Sequence, residues 1–222
     1  MKRFLRDNGL SLVVFGMFFG AFIFGQLFFG WHEYNSDRQE HGESMITLSR
    51  YLVSGHFLEA TMENWESEFL QMGVYVVLTA FLYQRGSAES KSLSGTEPVD
   101  RDPRRFKNKM HAPWPVRRGG WILALYENSL SLAFLLLFLI SMFLHGVGGH
   151  VVYNEEQMLH GQPTVGLLGY FGTSRFWFES FQNWQSEFLA IGSMVVLSIF
   201  LRQRGSPESK PVDSPHWQTG SD

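Results

Sequence analysis

Residues 64–91 read NWESEFLQMGVYVVLTAFLYQRGSAESK, and residues 183–210 read NWQSEFLAIGSMVVLSIFLRQRGSPESK. The two stretches agree at 19 of 28 positions with a constant offset of 119. Upstream the match continues: Tyr34-Asn35 with Tyr153-Asn154, His41-Gly42 with His160-Gly161, Tyr51 with Tyr170. After one gap, residues 8–12 (NGLSL) match residues 128–132 (NSLSL). Self-similarity at one fixed period is the signature of a duplicated structural unit.

Each copy holds two apolar blocks. Residues 10–31 carry no charge, and at ~1.5 Å per residue such a stretch reaches ~33 Å, enough for a hydrocarbon core of ~30 Å. A cleaved signal peptide has an apolar run of only ~7–15 residues before a small-residue cleavage site. Here the run is longer and closes on Phe28-Phe29-Gly30-Trp31, which predicts a retained helix. The block at 129–144 extends upstream to Trp121. The blocks at 69–82 and 188–201 are shorter, but counted from Trp65 to Gln84 and from Trp184 to Gln203 each reaches the ~20 residues a span needs.

Charge decides how many blocks cross. Of the 18 Lys and Arg residues, three precede the first block, two lie in 32–63, nine in 84–121, one in 145–183 and three follow the fourth block. Four crossings place fifteen on one side and three on the other. The positive-inside rule then puts both termini and the central loop in the cytoplasm. The reading is an all-α, multi-pass protein of the cell (inner or plasma) membrane with four transmembrane helices in two helix–loop–helix repeats. Two spans per unit keep the halves in one orientation, so the repeats are parallel. The expected divisions are repeat 1 over 1–91 (spans about 10–31 and 65–84, outer loop 32–63), a basic cytoplasmic linker over 92–120, repeat 2 over 121–210 (spans about 123–144 and 184–203, outer loop 145–183), and a disordered cytoplasmic tail over 211–222. The linker, rich in Ser, Pro and charge, reads as flexible, and the outer loops as carrying short interfacial helices.

The paired NW-x-SEFL and QRGS-x-ESK units resemble an uncharacterised family of bacterial four-span integral membrane proteins, a domain of unknown function. The resemblance covers both halves and implies a bacterial inner-membrane setting. It brings no activity and no site.

Composition narrows the chemistry. Cysteine is absent, which removes disulfides, thiol catalysis and Cys-ligated metals. A net charge of −3 over 222 residues offers no general case for nucleic-acid binding. No catalytic residue set and no cofactor motif is visible, so the expectation is a non-enzymatic protein with a structural or accessory role in the membrane. The alternative is a small proton- or cation-coupled transporter or channel, and a weaker one a membrane enzyme or metal-binding protein.

The residues behind these alternatives are few. Glu68 and Glu187 recur in both copies, one turn inside the Trp belt of the short helices, and a shared polar site would make them an ion or proton site. With Asn64 and Asn183 as N-caps, they would instead only complement helix dipoles. Of eight histidines, six (His32, His41, His56, His145, His150, His160) fall on the outer side, near Glu33, Glu155 and Glu156. His41 and His160, equivalent across the repeat, are weak metal candidates; no metal site is assigned. Gly9, Gly16 and Gly20 share one stripe of the first helix and predict close helix packing, internal or in a homo-oligomer. Gly86 and Gly205 read as C-cap glycines. Trp65, Trp184, Trp114 and Trp121 read as interfacial anchors. Arg101, Arg104, Arg105, Lys107, Lys109, Arg117 and Arg118 either set topology or dock on anionic lipid headgroups.

Overall fold

In the computed structural model, which describes residues 2–220, the chain is 69% helical, and no strand occurs among the described residues. Helix α1 (Lys2–Ala21) passes through a π-helical stretch (Phe22–Phe29) into α2 (Gly30–Glu40). There follow α3 (Leu48–Tyr51), α4 (Gly55–Phe81), 3-10 turns at Pro98–Asp100 and Pro103–Phe106, α5 (Trp114–Arg118), α6 (Gly120–Glu127), α7 (Ser129–Leu159), α8 (Leu167–Tyr170) and α9 (Ser174–Phe200). Two of these helical rods, Arg3–Glu40 and Ser129–Leu159, are long and apolar enough to cross a membrane.

The helices outrun the apolar blocks because their ends are set by capping, which hydropathy does not report. Ser54 Oγ accepts from the Phe57 amide (3.2 Å) and Thr173 Oγ1 from the Phe176 amide (3.3 Å), so α4 and α9 start fourteen residues before their apolar blocks. Asn64 is therefore not an N-cap. It lies inside α4, and its Nδ2 donates one turn back to the Ala60 carbonyl (2.8 Å). Asn183 is likewise interior to α9. With the caps moved, the helix-dipole role for Glu68 and Glu187 falls away, since both stand several turns past the helix start.

Helices α2 and α7 end in Schellman motifs. The Gly42 and Glu43 amides return to Gln39 and Arg38, and the Gly161 and Gln162 amides to Met158 and Gln157, with Gly42 and Gly161 at φ +76° and +65°. Gly86 and Gly205 instead serve tight turns beyond α4 and α9, closed by Ser87 N–H to the Gln84 carbonyl and Ser206 N–H to the Gln203 carbonyl, both 3.2 Å. The expected 30-residue outer loops are thus mostly helix, and the irregular links are short.

The chain divides into two compact units that cut across the sequence halves: residues 1–64 with 141–179, and residues 65–140 with 180–222. In the first unit, Asn35 brackets Ile46 (Oδ1 accepting at 2.7 Å, Nδ2 donating at 3.1 Å), and Asn154 brackets Val165 in the same way (2.9 Å each). Tyr51, Tyr170 and Phe176 are fully buried there.

In the second unit, Gln71 Nε2 donates to the Glu187 carbonyl (2.8 Å), and the Ser87 and Ser198 hydroxyls bond at 2.9 Å. The linker is built rather than loose: Lys91 pairs with Asp100 (2.8 Å), and Glu97 and Asp100 cap each other's backbone. The described part of the tail is also ordered, contrary to its polar composition. Lys210, 1% exposed, donates to the carbonyls of Gly86, His216 and Gln218, and Gly86 N–H donates to Thr219 Oγ1. A buried ammonium needs such acceptors, and they hold the segment down.

Burial runs opposite to that of a water-soluble fold. Among the described residues, thirteen polar or charged side chains are buried against six apolar ones, while Leu10, Phe24, Phe29, Leu136 and Phe143 of the two long apolar rods stand exposed. So much exposed apolar surface marks a face that meets lipid or another protein.

The glycine stripe of α1 is not a packing surface within the chain. A Cβ added at Gly9, Gly16 or Gly20 would meet no described atom within 4 Å, because α1 presents these faces outward. Close approach occurs instead where α7 meets α4. A Cβ at Gly148 would lie 2.4 Å from the Glu59 amide nitrogen and 2.8 Å from the Gly55 carbonyl oxygen. Both are backbone and cannot swing aside. Gly148→Ala is therefore expected to cost ~1–3 kcal/mol by overpacking. Gly16→Ala should be neutral or slightly stabilising, as Ala is the better helix former by up to ~1 kcal/mol. Thermal melting in detergent separates the two, and equal melting temperatures would refute the contact.

Candidate functional site

The contact at Gly148 carries Glu59 of α4 against His145 of α7. Around it the segment His145-Gly-Val-Gly-Gly-His150 provides room three times over: Gly146 faces the Phe171 ring, Gly148 the Glu59 backbone, and Gly149 both Glu59 Oε1 and the Tyr170 hydroxyl. Each glycine's missing side chain is a place another group occupies. Glu59 is 7% exposed, and its Oε1 has no hydrogen-bond partner. His145 is fully buried, with the Phe176 ring against it (centroids 4.9 Å).

Glu179 completes the group from the second turn of α9, its Oε2 lying 3.6 Å from His145 Nε2. That carboxylate is held from outside: Arg175 Nε donates to Oε1 (2.8 Å) and the Tyr170 hydroxyl to Oε2 (3.0 Å), while Arg175 Nη1 pairs with Glu156. One ligand-type atom from each of Glu59, His145 and Glu179 lies within 4.8 Å of the others. All of these residues belong to the first compact unit.

The charges here are unbalanced. Burial, reinforced by the Glu179 charge and only partly offset by Arg175 and His145, pushes the Glu59 carboxyl up to about 7. Burial also lifts Glu179, but the facing His145 and the hydrogen bonds from Arg175 and Tyr170, with the Arg175 charge, hold it below its ordinary value. An open cleft of about 440 Å³ reaches Glu59 and Glu179 and is also lined by Glu33, Asp37, Glu63 and Glu156. Acidic walls of this kind concentrate cations. An imidazole between two carboxylates can hold a proton or a cation.

A family model described as a domain of unknown function, DUF6766, matches residues 1–221. The chain belongs to the DUF6766 family. No curated protein and no solved structure matches it.

The residues singled out from the sequence of this DUF6766 chain lie elsewhere. Glu68 is exposed on α4 and Glu187 half-buried on α9, near enough for their charges to interact. His41 and His160 line one cleft of about 570 Å³, yet both are exposed, and each ring Nδ1 donates to its own helix, at the Asp37 and Glu156 carbonyls. They act as helix-end caps. Trp114 and Trp121 are exposed, and Trp65 and Trp184 half-buried.

Glu59 and Glu179 escaped sequence reading, and His145 was noted without its partners. The available signal was the run of glycines after His145, which marks a place where another backbone comes close.

Protonation of Glu59 ties the fold to pH. Between 4.5 and about 7 the folded chain keeps a proton that the unfolded chain has lost, so this contribution is fully present below 4.5 and vanishes as pH rises through about 7. At ~1.36 kcal/mol per pH unit the loss reaches up to ~3 kcal/mol. In chelator-treated protein, Glu59→Gln is expected to flatten the decline in melting temperature over that interval and to raise stability above it. A decline of unchanged slope would show that Glu59 is not the group responsible.

Proposed function

We propose that this DUF6766 protein is a non-enzymatic, multi-pass protein of the bacterial inner membrane with a structural or accessory role, crossing four times as two parallel repeats with both termini cytoplasmic. The observation that carries the membrane reading is the inverted burial: apolar α1 and α7 surfaces outside, polar side chains within. The duplication is supported by helix ends that recur at the offset of 119. Examples are α3 with α8, α4 with α9, the Ser54 and Thr173 caps, and the His41 and His160 ends. At 27 residues each, α4 and α9 reach ~40 Å, longer than a bilayer core of ~30 Å. The fifteen-to-three division of basic residues supports the orientation.

Under this topology the Glu59–His145–Glu179 group lies on the outer side, and the basic residues from Arg101 to Arg118 lie at the cytoplasmic face, where anionic headgroups are the expected partners. The outward Gly9, Gly16 and Gly20 stripe is free to mediate a homo-oligomer. A second reading, a proton- or cation-coupled transporter, is favoured by the proximity of Glu68 and Glu187 and by the Gln71 bond to the Glu187 carbonyl. The exposure of Glu68 weighs against it.

Reporters inserted near Thr96 and joined after the last residue are expected to report cytoplasm, and one near Glu43 the outside. An external signal at Thr96 would refute four crossings. For the second reading, proteoliposomes should show ion-dependent uptake that the double substitution Glu68→Gln, Glu187→Gln abolishes. Uptake that survives it would remove these residues as the site.

A further inference from the structure

We propose that Glu59, His145 and Glu179 form a binding site for a divalent first-row transition-metal cation of the zinc or manganese class. The inference is independent of how many times the chain crosses the membrane. Three side chains from three helices converge, and their donor atoms already lie within 4.8 Å of one another. Metal–ligand bonds of ~2.1 Å put donors ~3–3.5 Å apart, so closure on an ion requires a carboxylate rotation of about 1 Å.

A cluster of acids alone would not argue for an ion. What does so here is Glu59. The residue is 93% buried, its Oε1 has no hydrogen bond of its own and lies with the Tyr170 hydroxyl beside Gly149, and its carboxylate reaches within 4.8 Å of the other donors. Arg175 turns Nε to Glu179 and Nη1 to Glu156, not to Glu59 Oε1. A buried, unsatisfied carboxylate oxygen is costly, and an ion at that point would satisfy it.

The donor set selects the ion class. One imidazole favours zinc, manganese or iron over calcium and magnesium, and the lack of thiolate disfavours cuprous ion. Two carboxylates balance a double positive charge. The surroundings are those of a supported site: Arg175 and Tyr170 fix the orientation of Glu179, as outer partners of metal ligands do. Phe176 closes one side of His145, and the acidic cleft gives a path to Glu59 and Glu179.

The test uses the full chain, purified in detergent, stripped with chelator and titrated with Zn2+, with Co2+ as a spectroscopic probe of coordination. One zinc ion per chain is expected, together with a Co2+ visible spectrum of nitrogen and oxygen ligation. Glu59→Gln and His145→Gln should each weaken zinc binding by about tenfold or more. A His41→Ala, His160→Ala double variant should bind as the unaltered chain does. Helical content and gel filtration report whether each variant folds. Should His145→Gln fail to fold, Glu59→Gln, which keeps the side-chain shape, and the Co2+ spectrum of the unaltered chain still decide the matter. The proposal is overturned by absent stoichiometric zinc, by unchanged affinity in Glu59→Gln, or by loss of binding in the His41/His160 variant.

Discussion

The structure of the first unit depends on one close approach, that of the α7 backbone at Gly148 to the α4 backbone at Gly55 and Glu59. Only a residue without a Cβ permits it. Glycine inside a helix is costly, by roughly 0.5–1 kcal/mol relative to alanine, and α7 carries Gly146, Gly148 and Gly149 within four positions. That cost is offset by what the glycines admit: the Phe171 ring, the Glu59 backbone and the Tyr170 hydroxyl. Small residues are the usual means of helix approach where lipid supplies no hydrophobic drive, and here they place a carboxylate beside an imidazole.

The same reasoning explains a polar interior. If the surroundings are apolar, burying Leu and Phe gains little, and cohesion falls to hydrogen bonds and tight contacts. Asn35 and Asn154 each satisfy both backbone groups of one residue in a connecting segment. Ser87 and Ser198 bond across the second unit, and Lys210 gathers the carbonyls of the tail. These bonds lie where a soluble protein would have an apolar core. Among the described residues the one buried apolar cluster, Ala112, Val116 and Leu123, is small.

Legibility follows the same division. Helical class and the long apolar rods were readable, because hydropathy reports the surface offered to lipid. Helix ends were misread for the same reason: Ser54 and Thr173 cap through short-range hydrogen bonds among polar neighbours, so the starts of α4 and α9 carry no hydropathy signal. For the tail and linker, polar composition suits both a disordered segment and one held by backbone carbonyls, and only the fold distinguishes them. The Glu59 cluster was hidden more deeply. Recurrence in both halves does not mark it, because at the offset of 119 Glu59 corresponds to Phe178, Glu179 to Ala60 and His145 to Gln26.

That asymmetry separates scaffold from chemistry. Gly30 and Gly149 correspond, and so do Tyr51 and Tyr170; in both pairs the tyrosine hydroxyl fills the space where the glycine Cβ would be, at 2.5 and 2.3 Å. This contact recurs because it builds the unit. Gly148 corresponds to Phe29 and Gly55 to Ser174, so the approach of Gly148 in the second half to Glu59 in the first has no counterpart across the repeat. At the counterpart of His145, Gln26 donates to Thr61 Oγ1 at 3.2 Å, a neutral bond where His145 instead meets Glu59 of the first half and Glu179 of the second. Tyr51 correspondingly donates to the Gln26 carbonyl, whereas Tyr170 donates to the Glu179 carboxylate. The place around Gln26 thus keeps the geometry with uncharged groups. The charges gathered at His145 exceed what the shared scaffold requires, and a buried carboxylate left unpaired is a cost that packing alone does not explain.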